Sequence, residues 1–182
     1  MATTPSCIIA RMKRAFSFLF AVLVCVTGAH AQAMVAEPPA EMKAIAGLLG
    51  EWEGVMKMTP PGTTESMDIK TVVSVKSFGA YQETVFTMDM PGDQKYTGHQ
   101  FLTYDPASKM YKSWGFDDSV NEPLTSTGTW DGKKLAMTGE QGGMVTRITF
   151  EPKSKSDVGC KIEMKTGDTY VTLGECTYHR KG

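Results

Sequence analysis

Residues 96–117 read YTGHQFLTYDPASKMYKSWGFD, two strand-like runs joined by the turn Asp-Pro-Ala-Ser at 105–108. In the first run Leu102 and Tyr104 alternate with Phe101, a period of two residues that is typical of a β-strand. A short turn between two such runs makes them antiparallel neighbours. Both faces of the predicted hairpin carry aromatic side chains, and this mixed pattern suits a barrel whose interior is partly polar.

The same pattern continues on both sides of this hairpin. Ten segments have strand character: Glu51 to Met58, Asp68 to Phe78, Ala80 to Met88, Tyr96 to Asp105, Lys109 to Asp117, Leu124 to Trp130, Lys134 to Gly139, Met144 to Pro152, Val158 to Lys165 and Thr169 to Arg180. Their connections are short, and Asp131-Gly132 between two such runs is a strong hairpin signal. No connection has the length of the helical crossover that a parallel sheet needs.

One short helix precedes the strands. Met42, Ile45, Ala46 and Leu49 recur at helical spacing, and the pattern ends at Gly50. Ten meandering strands after a single helix predict an all-β, antiparallel up-and-down barrel. A barrel is favoured over a sandwich because closure leaves no exposed sheet edge.

The N-terminus has the composition of a cleavable secretory signal. Basic residues at 11–14 precede an almost uninterrupted apolar run at 15–27, and Ala29-His30-Ala31 supplies the small residues that cleavage after Ala31 requires. Cleavage after Ala33 is an alternative. The apolar run is much shorter than the about 20 residues of a spanning helix. We therefore expect a secreted or periplasmic protein that does not span the membrane after cleavage.

Removal of this leader, residues 1–31, defines the rest of the chain. A linker is expected over residues 32–40 and one barrel domain over residues 41–182. The whole chain has 19 Lys and Arg against 20 Asp and Glu, and loss of the three basic residues of the leader leaves 16 against 20, a net charge of −4. Phosphate contacts need clustered basic side chains, which argues against nucleic-acid binding.

Gly50-Glu51-Trp52 stands at the start of the first predicted strand, just after the short helix. This Gly-x-Trp form resembles the start of the calycins, a superfamily of lipocalins, fatty-acid-binding proteins and nitrobindin-like barrels. The resemblance implies that Trp52 lies across the barrel floor, covered by a basic residue from near the last strand. Arg180 is the matching candidate, since a guanidinium stacks on an indole face while its donors satisfy nearby carbonyl groups.

A longer series of short motifs covers nearly the whole mature chain. The motifs are, in order, Leu-Gly-Glu-Trp-Glu-Gly at 49–54, Met-Pro-Gly at 90–92, Tyr-Asp at 104–105, Tyr111 with Trp114, Gly-x-Trp-Asp at 128–131 and Gly-Glu at 139–140. In this combination the chain resembles an uncharacterised bacterial family of lipocalin-like domains. The resemblance implies the barrel fold and leaves the function open.

Two cysteines, Cys160 and Cys176, remain after removal of the leader. They lie symmetrically about the predicted turn at Gly167-Asp168, so a hairpin centred there places them opposite each other. An oxidising compartment would then link them in a disulfide with a structural role. A register one residue away would instead leave two free thiols on opposite faces of the sheet.

A ligand cavity is the main candidate for a functional site. Met110, Trp114 and Phe116 share one face of the fifth segment, and Leu102 and Tyr104 could meet them from the fourth across the turn. An ordinary filled core is the alternative for these five residues. A barrel of about ten strands is wide enough to hold an internal cavity.

His179 in the last strand raises the alternative of haem, because a late histidine binds the iron in the nitrobindin-like relatives. Its neighbour Arg180 is out of phase with it, so the two side chains cannot both face the interior. No cofactor and no metal site are otherwise predicted.

Motifs of the common enzyme classes are absent from the sequence, among them Gly-x-Ser-x-Gly, His-Glu-x-x-His and Cys-x-x-Cys. We therefore expect a non-enzymatic exported barrel that binds a small apolar ligand. A barrel that acts as an interaction scaffold through its outer surface or loops is the alternative, and a haem-binding barrel is the second.

Overall fold

The structure is a computed structural model, and it describes residues 37–118 and 121–182. The predicted leader at 1–31, its cleavage sites after Ala31 and Ala33, and residues 32–36 of the predicted linker lie outside the described residues. Within the described part of the chain, no helix has the length and apolar character needed to cross a membrane.

The described chain begins with helix α1 (Glu41–Ala44) and a 3-10 turn (Ala46–Leu48). Ten strands follow: β1 (Gly50–Met58), β2 (Met67–Phe78), β3 (Tyr81–Met90), β4 (Gln94–Asp105), β5 (Met110–Asp117), β6 (Leu124–Trp130), β7 (Leu135–Gln141), β8 (Met144–Pro152), β9 (Asp157–Thr166) and β10 (Thr169–Arg180). Each strand pairs antiparallel with its neighbours in the chain, and β1 pairs with β10, so the sheet closes. The predicted all-β, up-and-down barrel with one short helix is confirmed.

The β3–β4 hairpin is longer than the sequence predicts. Both strands continue to a tight turn at 91–93, in which Gly92 and Asp93 have φ angles of 80° and 59°. Glycine and aspartate are among the residues that adopt this left-handed conformation at low cost. The turn therefore needs only three residues, and the strands extend to fill the rest.

One end of the barrel, where β1 begins and β10 ends, is covered by the α1 and 3-10 segment, and we call it the closed end. Met42, Ile45 and Leu48 of this segment are buried. Trp52 Nε1 donates a hydrogen bond to the Leu48 carbonyl at 2.9 Å, and the Tyr111 hydroxyl donates one to the Glu41 carbonyl at 2.8 Å. The opposite end, which contains the turn at 91–93, is called the far end.

Candidate functional site

A cavity of about 430 Å³ lies inside the barrel. Its wall is mostly apolar, with Ile69, Val73 and Leu102 from β2 and β4 and Ile148, Phe150 and Ile162 from β8 and β9. Ligand sites in proteins have volumes of roughly 300–1,000 Å³ and similar apolar walls. The size and lining of this cavity therefore suit a small organic molecule.

Strand β3 shows how the sequence directs side chains to this cavity. Gln82, Thr84 and Phe86 line it, and the alternate residues Glu83 and Asp89 point to the outside of the barrel. Successive side chains of a strand point to opposite faces, so this alternation follows from the strand geometry.

Four methionines, Met56, Met58, Met88 and Met90, also line the cavity. The thioether side chain is flexible and polarizable, so it adapts to ligands of different shape. Among the described residues, no group of three or more His, Cys, Asp or Glu side chains could hold a metal ion.

A polar strip runs across neighbouring strands, and three of its members, Gln82, Thr84 and Gln100, line the cavity. Thr84 of β3 is opposite Gln100 of β4, and Gln82 lies two residues from Thr84 on the same face. Gln100 Nε2 donates a hydrogen bond to Ser113 Oγ at 3.0 Å, and Ser113 Oγ lies 2.6 Å from Ser126 Oγ. We define Gln82, Thr84, Gln100, Ser113 and Ser126 as the polar strip.

Gln82 is the most deeply buried of the three members of the polar strip that line the cavity. It is only 4% exposed, and its carboxamide makes no hydrogen bond within residues 37–118 and 121–182. No fully buried side-chain N or O atom in this part of the chain lacks a partner, so the polar atoms of Gln82 are open to the cavity. The predicted site did not include Gln82, although its phase along β3 with Phe86 and Met88 is a sequence signal for an inward position.

The structure places the five residues that the sequence assigned to the cavity in different parts of the barrel. Leu102 lines it. Tyr104 has the same phase as Leu102 on β4 but lies towards the closed end, where its ring packs against Tyr111 with the centroids 5.2 Å apart.

Met110, Trp114 and Phe116 follow the other phase, and the prediction that they face Leu102 and Tyr104 is wrong. The register pairs Leu102 with Ser113, so the inward residues of β5 are the intervening ones. Trp114 lies on the outer face with its ring centroid 6.5 Å from that of Tyr81. Met110 is also outside the cavity wall, whereas Phe116 is 50% exposed and is among the residues that line the cavity, as predicted.

At the closed end, the guanidinium of Arg180 lies over the ring of Trp52, which is 3% exposed. This is the position that the calycin resemblance gives to a basic residue. Trp52 lines the cavity, whereas Arg180 stands on its other side and donates to the Leu49 carbonyl at 2.8 Å. Arg180 is therefore a structural residue outside the cavity.

Cys160 and Cys176 are directly opposite each other on β9 and β10, so the predicted register is confirmed. An irregularity between Thr172 and Gly174 shifts the pairing by one residue and brings them into line. Both thiols are buried and unbonded in the structure, so the predicted disulfide is not present. Burial raises the pKa of Cys160 to about 12 and that of Cys176 to about 11, which keeps both thiols protonated at neutral pH.

His179 lies on the outer surface, where its Nδ1 is 2.7 Å from Asp157 Oδ1. His99 is also on the outside, beside Glu83. The described residues thus place no imidazole in the cavity wall, and the alternative of haem bound inside the barrel through His179 is wrong for this reason.

Two solved structures share the fold. The S-type phycobiliprotein lyase CPES from Guillardia theta matches with a TM-score of 0.58 and 10% identity, over 79% of this chain and 94% of its own. Rv2717c from M. tuberculosis matches with a TM-score of 0.58 and 12% identity, over 80% of this chain and 100% of its own. No curated protein matches the sequence.

At these identities the two structures establish the barrel fold alone. The sequence itself gives the family. Residues 37–179 match the family described as "Protein of unknown function (DUF1579)", and the chain therefore belongs to that family.

Proposed function

We propose that this protein is an exported, non-catalytic barrel that binds one small, largely apolar ligand in its interior. The observation that carries the proposal is the cavity of about 430 Å³, with apolar walls interrupted by one polar strip. A core that served only stability would be packed without such a space, because interiors are close-packed and voids cost free energy.

The chemistry of the wall favours binding over catalysis. Asp117 is the one carboxylate among the described residues that line the cavity, and no histidine, lysine or arginine is among them. General acid–base catalysis at neutral pH depends on such groups. The likeness to a phycobiliprotein lyase carries no activity to this chain, because one fold hosts many functions.

Export belongs to the same proposal and rests on the basic and apolar leader at 1–31. In an oxidising compartment Cys160 and Cys176 can be joined. A mass of the exported protein about 2 Da below that of the reduced chain would support the bond, and an unchanged mass would argue against it.

Native mass spectrometry of the protein purified from its own host tests the binding function. We expect an adduct of one small molecule per chain. Titration with the neutral fluorescent probe N-phenyl-1-naphthylamine tests the same site, and a Thr84→Phe variant, which fills the cavity, should weaken probe binding. Thr87→Phe places the same ring on the outer face of β3 and is the control. If the wild type shows no adduct and also does not bind the probe, the proposal is contradicted.

An outer aromatic patch supports the scaffold as a second candidate. It consists of Phe78, Tyr81, Phe101 and Trp114, and its members Phe78 and Tyr81 are 61% and 40% exposed. Exposed apolar clusters on soluble proteins mark interaction sites. The scaffold function predicts a partner whose capture is lost in Phe78→Ser and kept in Thr84→Phe. The opposite result favours the cavity.

A further inference from the structure

We propose that the ligand of this cavity is uncharged, with an apolar body and one terminal group that both donates and accepts hydrogen bonds, and that this group binds Gln82. A primary carboxamide is the simplest example of such a group. The inference rests on the proposed ligand-binding function and specifies its chemistry.

The first argument is the state of Gln82 itself. The residue is 4% exposed and lines the cavity, and its carboxamide makes no hydrogen bond within the described residues. Because no fully buried side-chain N or O atom among them lacks a partner, the polar atoms of Gln82 are open to the cavity. A carboxamide offers two N–H donors and one acceptor oxygen. A ligand that presents the same pair of functions in reverse satisfies both ends of Gln82, whereas a hydrocarbon leaves both unsatisfied.

The neighbouring residues extend this hydrogen-bonding capacity. Gln100 uses its Nε2 on Ser113, so its Oε1 remains as an acceptor towards the cavity. The Thr84 hydroxyl lies between Gln82 and Gln100 in the strip and also lines the cavity. The three side chains together form one polar spot in an otherwise apolar wall.

The charge of the wall excludes a carboxylate ligand. None of the described residues that line the cavity is a lysine or an arginine. Arg180 is engaged outside it, where its donors reach the carbonyls of Leu49 and Lys155. A buried carboxylate without a cation is strongly unfavourable. The wall therefore disfavours an anion, and the uncharged hydrogen-bonding groups of Gln82 suit a neutral ligand.

The position of Gln82 gives the orientation. It is the second residue of β3, next to the β2–β3 turn at the closed end. Met88 and Met90 line the other end of the same strand, at the far end of the barrel. The polar group of the ligand therefore lies innermost, and its apolar body extends towards the methionines.

Displacement of N-phenyl-1-naphthylamine by octanamide, octanoate and octane tests this selectivity, because the three competitors share one chain length. For the wild type we expect octanamide to compete at about tenfold lower concentration than either of the others. Gln82→Leu and the closer isostere Gln82→Met should each abolish this advantage and leave competition by octane unchanged or stronger. Gln94→Leu makes the same chemical change at an exposed position and should behave as the wild type.

The outcomes separate the two proposals. Three results would overturn the inference about the ligand and leave the binding function standing. They are probe binding with equal competition by amide and hydrocarbon, tighter competition by octanoate, and an amide advantage that survives in both Gln82 variants. Absence of probe binding and of a native adduct overturns both.

Discussion

The guanidinium carbon of Arg180 lies 4.1 Å from the centroid of the Trp52 ring, across the β1–β10 pair that closes the barrel. The same side chain donates hydrogen bonds to the carbonyls of Leu49, at 2.8 Å, and Lys155, at 2.9 Å. One residue thus joins the last strand to the first strand, to the end of the 3-10 turn and to the β8–β9 connection.

Arg180→Ala should lower the free energy of unfolding by about 1–2 kcal/mol, because it removes a cation–π contact and several hydrogen bonds at once. Arg180→Lys keeps the charge but loses the planar fork of donors, so its effect should be intermediate. Lys181→Ala, which removes only an exposed ion pair with Glu53, should cost less than about 0.5 kcal/mol. Urea unfolding gives the three values, and equal losses in all three variants would contradict this role.

Two inward glycines should respond differently to substitution by alanine. A Cβ at Gly128 would collide with the carbonyl oxygen of Ala136, which belongs to the backbone of β7 and cannot move aside. A Cβ at Gly98 would collide with the far edge of the Phe86 ring, which can turn into the cavity. We expect Gly128→Ala to destabilise the barrel by about 3 kcal/mol and Gly98→Ala by about 1 kcal/mol.

The same two substitutions also distinguish an effect on stability from an effect on the cavity. Gly98→Ala should weaken binding of N-phenyl-1-naphthylamine, since the displaced Phe86 ring reduces the volume available. Thermal unfolding and probe titration measure the two effects independently. Undiminished probe affinity in Gly98→Ala would show that Phe86 moves elsewhere.

Much of the barrel could be predicted from sequence because its turns are formed by hydrogen bonds between residues that are close in the chain. The Asp131-Gly132 hairpin is one example: Asp131 Oδ1 accepts hydrogen bonds from the amides of Lys133 and Lys134 at 2.8 and 2.7 Å. Such turns fix where strands end. The pairing of Cys160 with Cys176 follows from their equal spacing from the predicted turn, although it depends on a bulge in β10 that the sequence does not indicate.

The interior could not be predicted as well, because alternation gives two sets of side chains without saying which set faces inward. In β5 the more apolar set contains Trp114 and Phe116, and the inward set contains Tyr111 and Ser113. Ser113 is accommodated because Gln100 and Ser126 hydrogen-bond to it. These partners come from other strands, so only the folded barrel reveals the polar strip.

The two buried thiols should make the protein less stable at alkaline pH. Burial raises the pKa of Cys160 to about 12, above the ordinary thiol value of about 9 that holds in the unfolded chain. The folded state therefore binds the proton more tightly, and its contribution to stability is complete below pH 9 and is lost as the pH rises towards 12. The free energy of unfolding under reducing conditions should fall more steeply between pH 9 and pH 11 for the wild type than for Cys160→Ser. Identical slopes would contradict the shift.

Gln82→Leu and Gln82→Met should stabilise the ligand-free protein, in contrast to most substitutions of buried residues. The Gln82 carboxamide is open only to the mostly apolar cavity and makes no hydrogen bond within the described protein, so an apolar side chain of similar size should suit this position better in the ligand-free state. We expect an increase of about 1 kcal/mol in the free energy of unfolding, measured in urea. Gln94→Leu should change stability by less than about 0.5 kcal/mol, because its position is exposed. If Gln82 instead served the fold through a hydrogen bond, both variants would be destabilised. A gain in stability together with a loss of amide selectivity is the combination expected of a residue retained for its ligand, since the free protein then carries a cost that binding offsets.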